Sequence, residues 1–340
     1  MPLALEAQED AGFGDQVEVQ EVLLDVLVMD DDGNAVVGLG PEDFRVKENG
    51  EARTVEQATF YSHRRFLDAA LVETLGVDPV PEDRLFVLAF YRPLSADSRT
   101  SGIFFRTREA VERASDWVWK QLAPTDWVAV VSYDSRLRVY QSFTRNREAM
   151  DAALERIAAG KKPTGQWKSR QAQEVEGAPR LGDLPTGNEL RDATTTIYDG
   201  LSVVADALEG VPGRKNLVLF GLDFPVRNGG PTATVDTLRY EPMVQSLNDS
   251  NVAVYPIALS GRLAQDTLVQ LAEDTGGAYA WSFPDFSVPL DRIARESNGY
   301  YLLSYQTSHP AGASGYQRVE VEASDPDLEV RARGGYGFGD

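Results

Sequence analysis

Four apolar stretches, Leu85–Phe90, Trp127–Val131, Leu217–Phe220 and Val252–Leu259, constrain this chain more than any other feature. A strand with one wet face alternates apolar and polar side chains, whereas a strand without a polar face must be covered on both sides. Between the stretches, apolar residues recur at helical spacing. Val111, Ala114, Val118 and Leu122 form one such stripe, stopped by Pro124, and Met150, Ala153, Leu154 and Ile157 form another. Further stripes run through Ile197, Leu201, Val204 and Leu208, through Met243, Val244 and Leu247, and through Leu268, Leu271 and Ala272, the last closed by Gly276-Gly277. Leu137–Phe143 reads as a hairpin partner of the second stretch, Ala278–Trp281 as a short strand and Val288–Ser297 as a helix. Strands alternating with helices of this length imply right-handed crossovers and a doubly wound, mostly parallel α/β sheet.

The flanks have a different period. From Val17 to about Phe60 the pattern is two, with Val22, Leu24, Val26 and Val28 on one side of a strand. Asp30-Asp31-Asp32-Gly33-Asn34 reads as a turn, because it lacks the twelve-residue spacing and terminal bidentate Glu of a calcium loop. Asn49-Gly50 suits a tight type I′ hairpin. Tyr300–Gln306, Val319/Val321/Ala323 and Leu328/Val330/Ala332 read as antiparallel strands, too few to stand alone. They are expected to complete the N-terminal β unit, making a β-sandwich into which the α/β domain is inserted. The expected division is a flexible N-terminus (1–16), the first part of the sandwich (17–65), a linker (66–84), the α/β domain (85–297) and the second part of the sandwich (298–340).

Length and composition bound the function. A chain of 340 residues with 42% hydrophobic and 25% charged residues can bury a true core. Its 33 basic and 53 acidic side chains give a net charge of −20, which repels nucleic acid and anionic lipid and makes nucleic acid a poor partner. The absence of cysteine removes disulfides, thiol nucleophiles and zinc–thiolate sites. No stretch approaches the ~18 apolar residues of a membrane span. The opening MPLALEAQEDAGFGDQ lacks the basic and apolar regions of a secretory signal, which leaves open an export signal trimmed away or surviving as a remnant at Met1–Leu5.

Four motifs carry a resemblance. Asp126–Ser132 (DWVAVVS), Thr195–Leu201 (TTIYDGL), Arg214–Phe220 (RKNLVLF) and Leu271–Gly277 (LAEDTGG), in that order, resemble successive landmarks of von Willebrand factor type A domains. The flanking Val36–Leu39, Glu42–Phe44, Glu48–Gly50 and Asn298–Tyr305 are similar to a bacterial subfamily, the von Willebrand factor A-related acidobacterial proteins. The resemblance covers nearly the whole chain. It implies a protein-binding rim at the carboxyl ends of the strands, where open α/β sheets place their ligands. In the family that rim commonly holds a metal-ion-dependent adhesion site, built from Asp-x-Ser-x-Ser after the first strand, a Thr before a later helix and an Asp after the central strand.

This sequence departs from that pattern. Tyr91 and Pro93 stand in the places of the first Asp and first Ser, and Leu222 in the place of the later Asp, with Asp223 one residue beyond. Ser95 and Thr195 match the remaining hydroxyl positions. Mg²⁺ prefers hard oxygen ligands, and Arg92 adds a positive charge, so a metal is disfavoured; if one binds, Ser95, Thr195 and Asp223 are its ligands. The expected rim is therefore Tyr91, Arg92, Ser95, Thr195 and Asp223, with no cofactor. Arg92 is read either as a guanidinium that takes an acidic partner side chain or as a solvated arginine. The insertion 160–192, with Trp167 among Lys161, Lys162, Lys168 and Arg170, is read either as a second contact region or as a flexible loop.

No catalytic machinery is legible. His63 and His309 lie in no triad or metal-spacing motif, and Gly33, Gly38 and Gly40 fit no phosphate loop. The expected function is a non-enzymatic protein–protein interaction or adhesion module with a degenerate metal site, extracytoplasmic (periplasmic or secreted), whose partner is a protein of unknown identity. The alternative is a structural subunit of a homo-oligomeric or cell-envelope assembly, and an oligomer is open under either reading.

Overall fold

A computed structural model describes residues 17–62, 80–81, 83–91, 102–163, 179–181, 184–222, 224, 236–259, 266–281, 285–310 and 312–339. The expected N-terminal tail, most of the linker, Trp167 with Lys168 and Arg170, and His63 lie outside the described residues. The chain opens with β1 (Val17–Met29), a 3-10 turn at Pro41–Asp43, β2 (Phe44–Glu48), β3 (Glu51–Arg53), β4 (Val55–Ser62) and β5 (Val80–Pro81). The alternating region follows as β6 (Leu85–Tyr91), α1 (Gly102–Lys120), β7 (Trp127–Tyr133), β8 (Leu137–Thr144), α2 (Arg147–Ala158), α3 (Asn188–Ala193), α4 (Ile197–Asp206) and β9 (Lys215–Gly221). It continues through α5 (Thr237–Asp249), β10 (Val252–Ala258), α6 (Asp266–Asp274), β11 (Ala280–Trp281) and α7 (Ser287–Glu296). Strands β12 (Gly299–Pro310), β13 (Gly315–Ala323), β14 (Glu329–Ala332) and β15 (Gly335–Phe338) close it.

Every residue of β6, β7, β9 and β10 is buried, which is what the apolar stretches require. These strands form the middle of a six-stranded sheet of order β11-β10-β9-β6-β7-β8, parallel except for the hairpin partner β8. Alternation along β6 sends Leu85, Val87, Ala89 and Tyr91 to one face and Phe86, Leu88 and Phe90 to the other. Helices α4, α5 and α6 cover the first face through Leu201, Val204, Met243, Leu247 and Leu271. Helices α1, α2 and α7 cover the second through Ala114, Val118, Leu154, Leu290 and Ile293. The chain adds β7 on one side of β6 and later β9 on the other, so the strand order reverses at β6/β9. Their carboxyl ends flank the crevice where such sheets bind ligands.

At the opposite end of the sheet a buried ion pair joins the starts of β6 and β7. Arg84 Nε donates to Asp126 Oδ1 at 2.9 Å and Arg84 Nη2 to Oδ2, with both side chains wholly inaccessible. Arg84 Nη1 also donates to the Ala294 carbonyl of α7 at 2.8 Å, and the Ala123 N–H donates to Asp126 at 2.7 Å. Each charge is thus paired and further hydrogen-bonded, the condition under which burial is tolerable.

The strands from the two ends of the chain share two further sheets. β12 pairs antiparallel with β1 and β4 in the order β14-β1-β12-β4-β5, and β13 pairs with β2 in the order β15-β13-β2-β3. One apolar core lies between these sheets, drawing Val22, Leu24 and Val26 from β1, Val46 from β2, Tyr301 and Leu303 from β12 and Val319 from β13. Within it the Glu48 carboxylate accepts from the hydroxyls of Tyr305 (3.2 Å), Thr307 (2.6 Å) and Tyr336, and from Arg53 Nε at 2.9 Å. Asn49 (φ 49°) and Gly50 (φ 84°) both take positive φ, as a type I′ hairpin between Glu48 and Glu51 demands.

A polar seam binds this β unit to the α/β unit. Arg333 donates to the carbonyls of Asn248 (2.6 Å) and Leu23 (2.8 Å), Asn248 Nδ2 to the Tyr316 hydroxyl (2.8 Å) and Asn251 Nδ2 to Asp25, while beside them, within the α/β unit, Arg214 donates to the Gly276 carbonyl (2.6 Å). Burial pushes the Asp25 carboxyl above the usual carboxylate range, against the pull of Asn251 and of the Arg214 and Arg333 charges. Gly276 (φ 70°) is required here, since a Cβ would come within 2.6 Å of the Ala332 carbonyl carbon.

Two readings of the sequence need correction. The stretch Gly160–Asp192 is not wholly an exposed insertion: α3 lies in it, and Leu181 is 8% exposed, with Leu184 and Leu190 packed on the same core. Helix α4 ends at Asp206, so Leu208 is buried from the turn beyond it. Strand β15, with two glycines in four residues, has no alternation to betray it.

Asp126→Ala is expected to strand the Arg84 guanidinium in the interior and cost about 3–5 kcal/mol in urea unfolding. The double variant Arg84→Met/Asp126→Leu should recover much of that loss, because both charges leave together. Equal stability of Asp126→Ala and the unaltered chain would contradict this role.

Candidate functional site

The crevice is bordered by the ends of β6 and β9 and by the start of α4. Tyr91, the last residue of β6, is 4% exposed. Its ring lies 6.0 Å from that of Tyr133, at the end of β7, and 6.0 Å from Phe224 in an edge-on arrangement, while Phe224 meets Tyr198 of α4 edge-on at 5.2 Å. Such tilted and edge-on contacts favour aromatic clusters beyond the area they bury. Two glycines make room for it. A Cβ on Gly200 would stand 2.8 Å from the Tyr133 ring, and one on Gly221 would stand 3.1 Å from the Tyr91 Cβ. The gap left among Tyr91, Tyr133, Ile197, Gly200 and Ala89 is apolar and holds at most about one water.

Polar groups ring this cluster. Burial, with the nearby Asp199 carboxylate, pushes the Tyr133 phenol up to about 12, and its hydroxyl donates to the Thr194 carbonyl at 3.3 Å. Thr194 is buried, donating to the Leu190 carbonyl (2.6 Å) and accepting from the Leu137 N–H (3.1 Å). The next two threonines cap α4. The Thr195 hydroxyl and the Thr196 N–H both donate to Asp199 Oδ2 at 2.8 Å, and the Asp199 N–H donates back to the Thr196 hydroxyl at 3.2 Å. Arg239 of α5 donates to both carboxylate oxygens, at 3.0 and 3.3 Å. Partial burial works against ionisation of Asp199, but the Thr195 and Thr196 hydrogen bonds and the Arg239 charge hold its carboxyl below the usual range.

Of the expected rim residues, Tyr91 and Thr195 are described, and Arg92, Ser95 and Asp223 lie outside the described residues. Tyr91 points into the core and Thr195 is exposed at the helix start, with Tyr133 and Thr194 between them. A divalent cation fits this pair poorly. Tyr91 brings an aromatic ring and no carboxylate, and the Thr195 hydroxyl donates to Asp199. Among the described residues no group of three or more His, Asp or Glu side chains is placed to hold a metal. Asp199 and Arg239 were missed in the sequence. Thr196 with an acidic residue three positions on is the spacing of a capping box and could have revealed Asp199, but nothing local points to Arg239.

No family model matches the sequence, and no curated protein matches it. Among solved structures the chain is similar to a von Willebrand factor type A protein from Catenulispora acidiphila, at 10% identity and TM-score 0.42, over 96% of this chain and 73% of that one. It is similar to the human COPII-coat protein Sec24c at 10% identity and TM-score 0.40, over 76% and 44%. A third is proximal thread matrix protein 1 from the mussel byssus with a zinc-occupied MIDAS motif, at 14% identity and TM-score 0.36, over 67% and 48%. The chain thus spans less than half the length of the coat and thread proteins it aligns with.

The low pKa of Asp199 has a consequence for stability. A carboxylate depressed in the folded state stabilises above its unfolded value, near 4, and that contribution is lost as pH falls through the folded value. Asp199→Asn should therefore cost roughly 1 kcal/mol at neutral pH and flatten the dependence of the thermal midpoint on pH below about 4. Midpoints that follow the unaltered chain at every pH would remove Asp199 from the account of the rim.

Proposed function

We propose that this chain is a non-enzymatic protein–protein interaction or adhesion module, a von Willebrand factor A-like domain inserted in a β-sandwich. Its rim, drawn from Tyr91, Arg92, Ser95, Thr195 and Asp223 with Tyr91 as inward-turned support, is a degenerate metal-ion-dependent adhesion site that works without a cofactor. The observation that carries this reading is the burial of Tyr91. At the place where the resembling family has its first metal-binding Asp, this chain turns a side chain inward and packs it on Tyr133 and Phe224. The strand-order reversal at β6/β9 supports the same location. A rim on a rigid, helix-covered sheet suits recognition of a surface, and Arg92 is well matched to an acidic partner side chain. In the described residues no helix is long and apolar enough to cross a membrane. Export to the periplasm or beyond is part of the proposal and rests on the bacterial resemblance.

Calorimetric titration with Mg²⁺, Mn²⁺ and Ca²⁺ is expected to give no site-specific heat; binding near micromolar affinity would overturn the metal-free rim. With a partner captured from the native host, Arg92→Ala should weaken binding roughly tenfold, as loss of an interface arginine does. Unchanged affinity across alanine variants of all five rim residues would defeat the proposal. A stable oligomer in light scattering that does not change with concentration would favour a structural subunit instead.

A further inference from the structure

Strand β1 is thirteen residues long, yet only part of its outer edge is paired. β12 pairs with Val17–Val26 on the inner side without a bulge, whereas β14 pairs only with Val26–Met29 on the outer side. Among the described residues no strand runs beside Val19–Asp25 on that outer side. Arg333 donates to the Leu23 carbonyl, which marks that carbonyl as turned outward. Backbone direction alternates along a strand, so Val19 and Glu21 turn their N–H and C=O groups the same way. The side chains of these three residues share one face. Val19 is 65% and Leu23 49% exposed, with Glu21 exposed between them, while Val22 and Leu24 on the other face are buried. Natural edges are blunted by charges, proline or a bulge; lysine, proline and a bulge are absent here, and Glu21 is the one charge on the exposed stretch Val19–Leu23.

We propose that this edge captures an extended segment of a partner protein as an added strand in line with β14. The segment carries a basic residue flanked, two positions away on each side, by apolar ones. Main-chain hydrogen bonds to Val19 and Glu21 supply the attachment, and the side chains supply the selection. Apolar residues cover Val19 and Leu23, and a Lys or Arg faces the Glu21 carboxylate, since opposite charges across a pair stabilise and like charges do the reverse. The net charge of −20 draws basic segments toward the surface. A second copy of this chain is the poorer occupant, because the antiparallel alignment that sets Val19 against Leu23 also sets Glu21 against Glu21.

The test uses the full chain and a fluorescein-labelled peptide of alternating sequence Thr-Val-Thr-Lys-Thr-Val-Thr. Anisotropy is expected to rise saturably, and amide exchange at Val19 and Glu21 to slow. A peptide with Glu in place of Lys should bind roughly tenfold more weakly, and Glu21→Lys should reverse that preference. Val19→Pro removes one outward N–H without touching the β12 pairing and should abolish binding. If Val19→Pro fails to fold, the reversed preference of Glu21→Lys still decides. No saturable binding, or equal affinity for the two peptides, would overturn the proposal. A concentration-dependent dimer dissolved by Val19→Pro would assign the edge to a second copy and overturn it as well.

Discussion

A sheet with no polar face sets most of this architecture. Because β6, β7, β9 and β10 are buried throughout, helices must cover both sides, and the chain must change sides at least once to place them. That change falls between β6 and β9 and opens the crevice. The same demand for burial explains what fills its floor. A residue at the end of β6 on the α4 side faces an apolar layer, so an aromatic ring there gains by packing, and Gly200 and Gly221 leave the volume for it. Hydroxyls and charges remain at the margin, where Asp199 gathers Thr195, Thr196 and Arg239 around one carboxylate.

The β unit meets the α/β unit through a set of directional polar contacts. Arg333, Arg214, Asn248, Asn251 and Asp25 each hydrogen-bond across or along the seam, several of them to main-chain carbonyls. Directional contacts of this kind fix orientation more sharply than an apolar patch that can slide, while each bond adds only about 1 kcal/mol of net stability. Glu48 plays a comparable part inside the β unit, where one buried carboxylate ties β2 to β12 and β15.

Much of the α/β unit was legible because the physics is local. Phe86, Leu88 and Phe90 against Leu85, Val87, Ala89 and Tyr91 declare two covered faces in seven residues, and the stripe Met150, Ala153, Leu154 and Ile157 declares a helix. What escaped depends on distant partners. Leu181 sits in a polar stretch and is buried only because the core happens to pass beneath it. Arg239 finds Asp199 across 40 residues, which no spacing rule anticipates. The crevice was legible to a lesser extent: the sequence places Tyr91 at the end of the first buried strand, but whether its ring points to solvent or to the core is decided by Gly221 and Phe224, far along the chain.

The pairing of β1 with β12 joins segments far apart along the chain, with Val17 opposite Pro310 and Val26 opposite Tyr301. During synthesis the first strand leaves the ribosome long before its neighbour exists. It must wait, with both margins bare, while the whole α/β unit is made and packs. Contacts of such long range close slowly, so the nascent chain passes through a stage in which a thirteen-residue strand, apolar on the face of Val22, Leu24 and Val26, is open to any strand-like visitor. Assembly in the cell therefore depends on the order in which the two units mature as much as on their final stability.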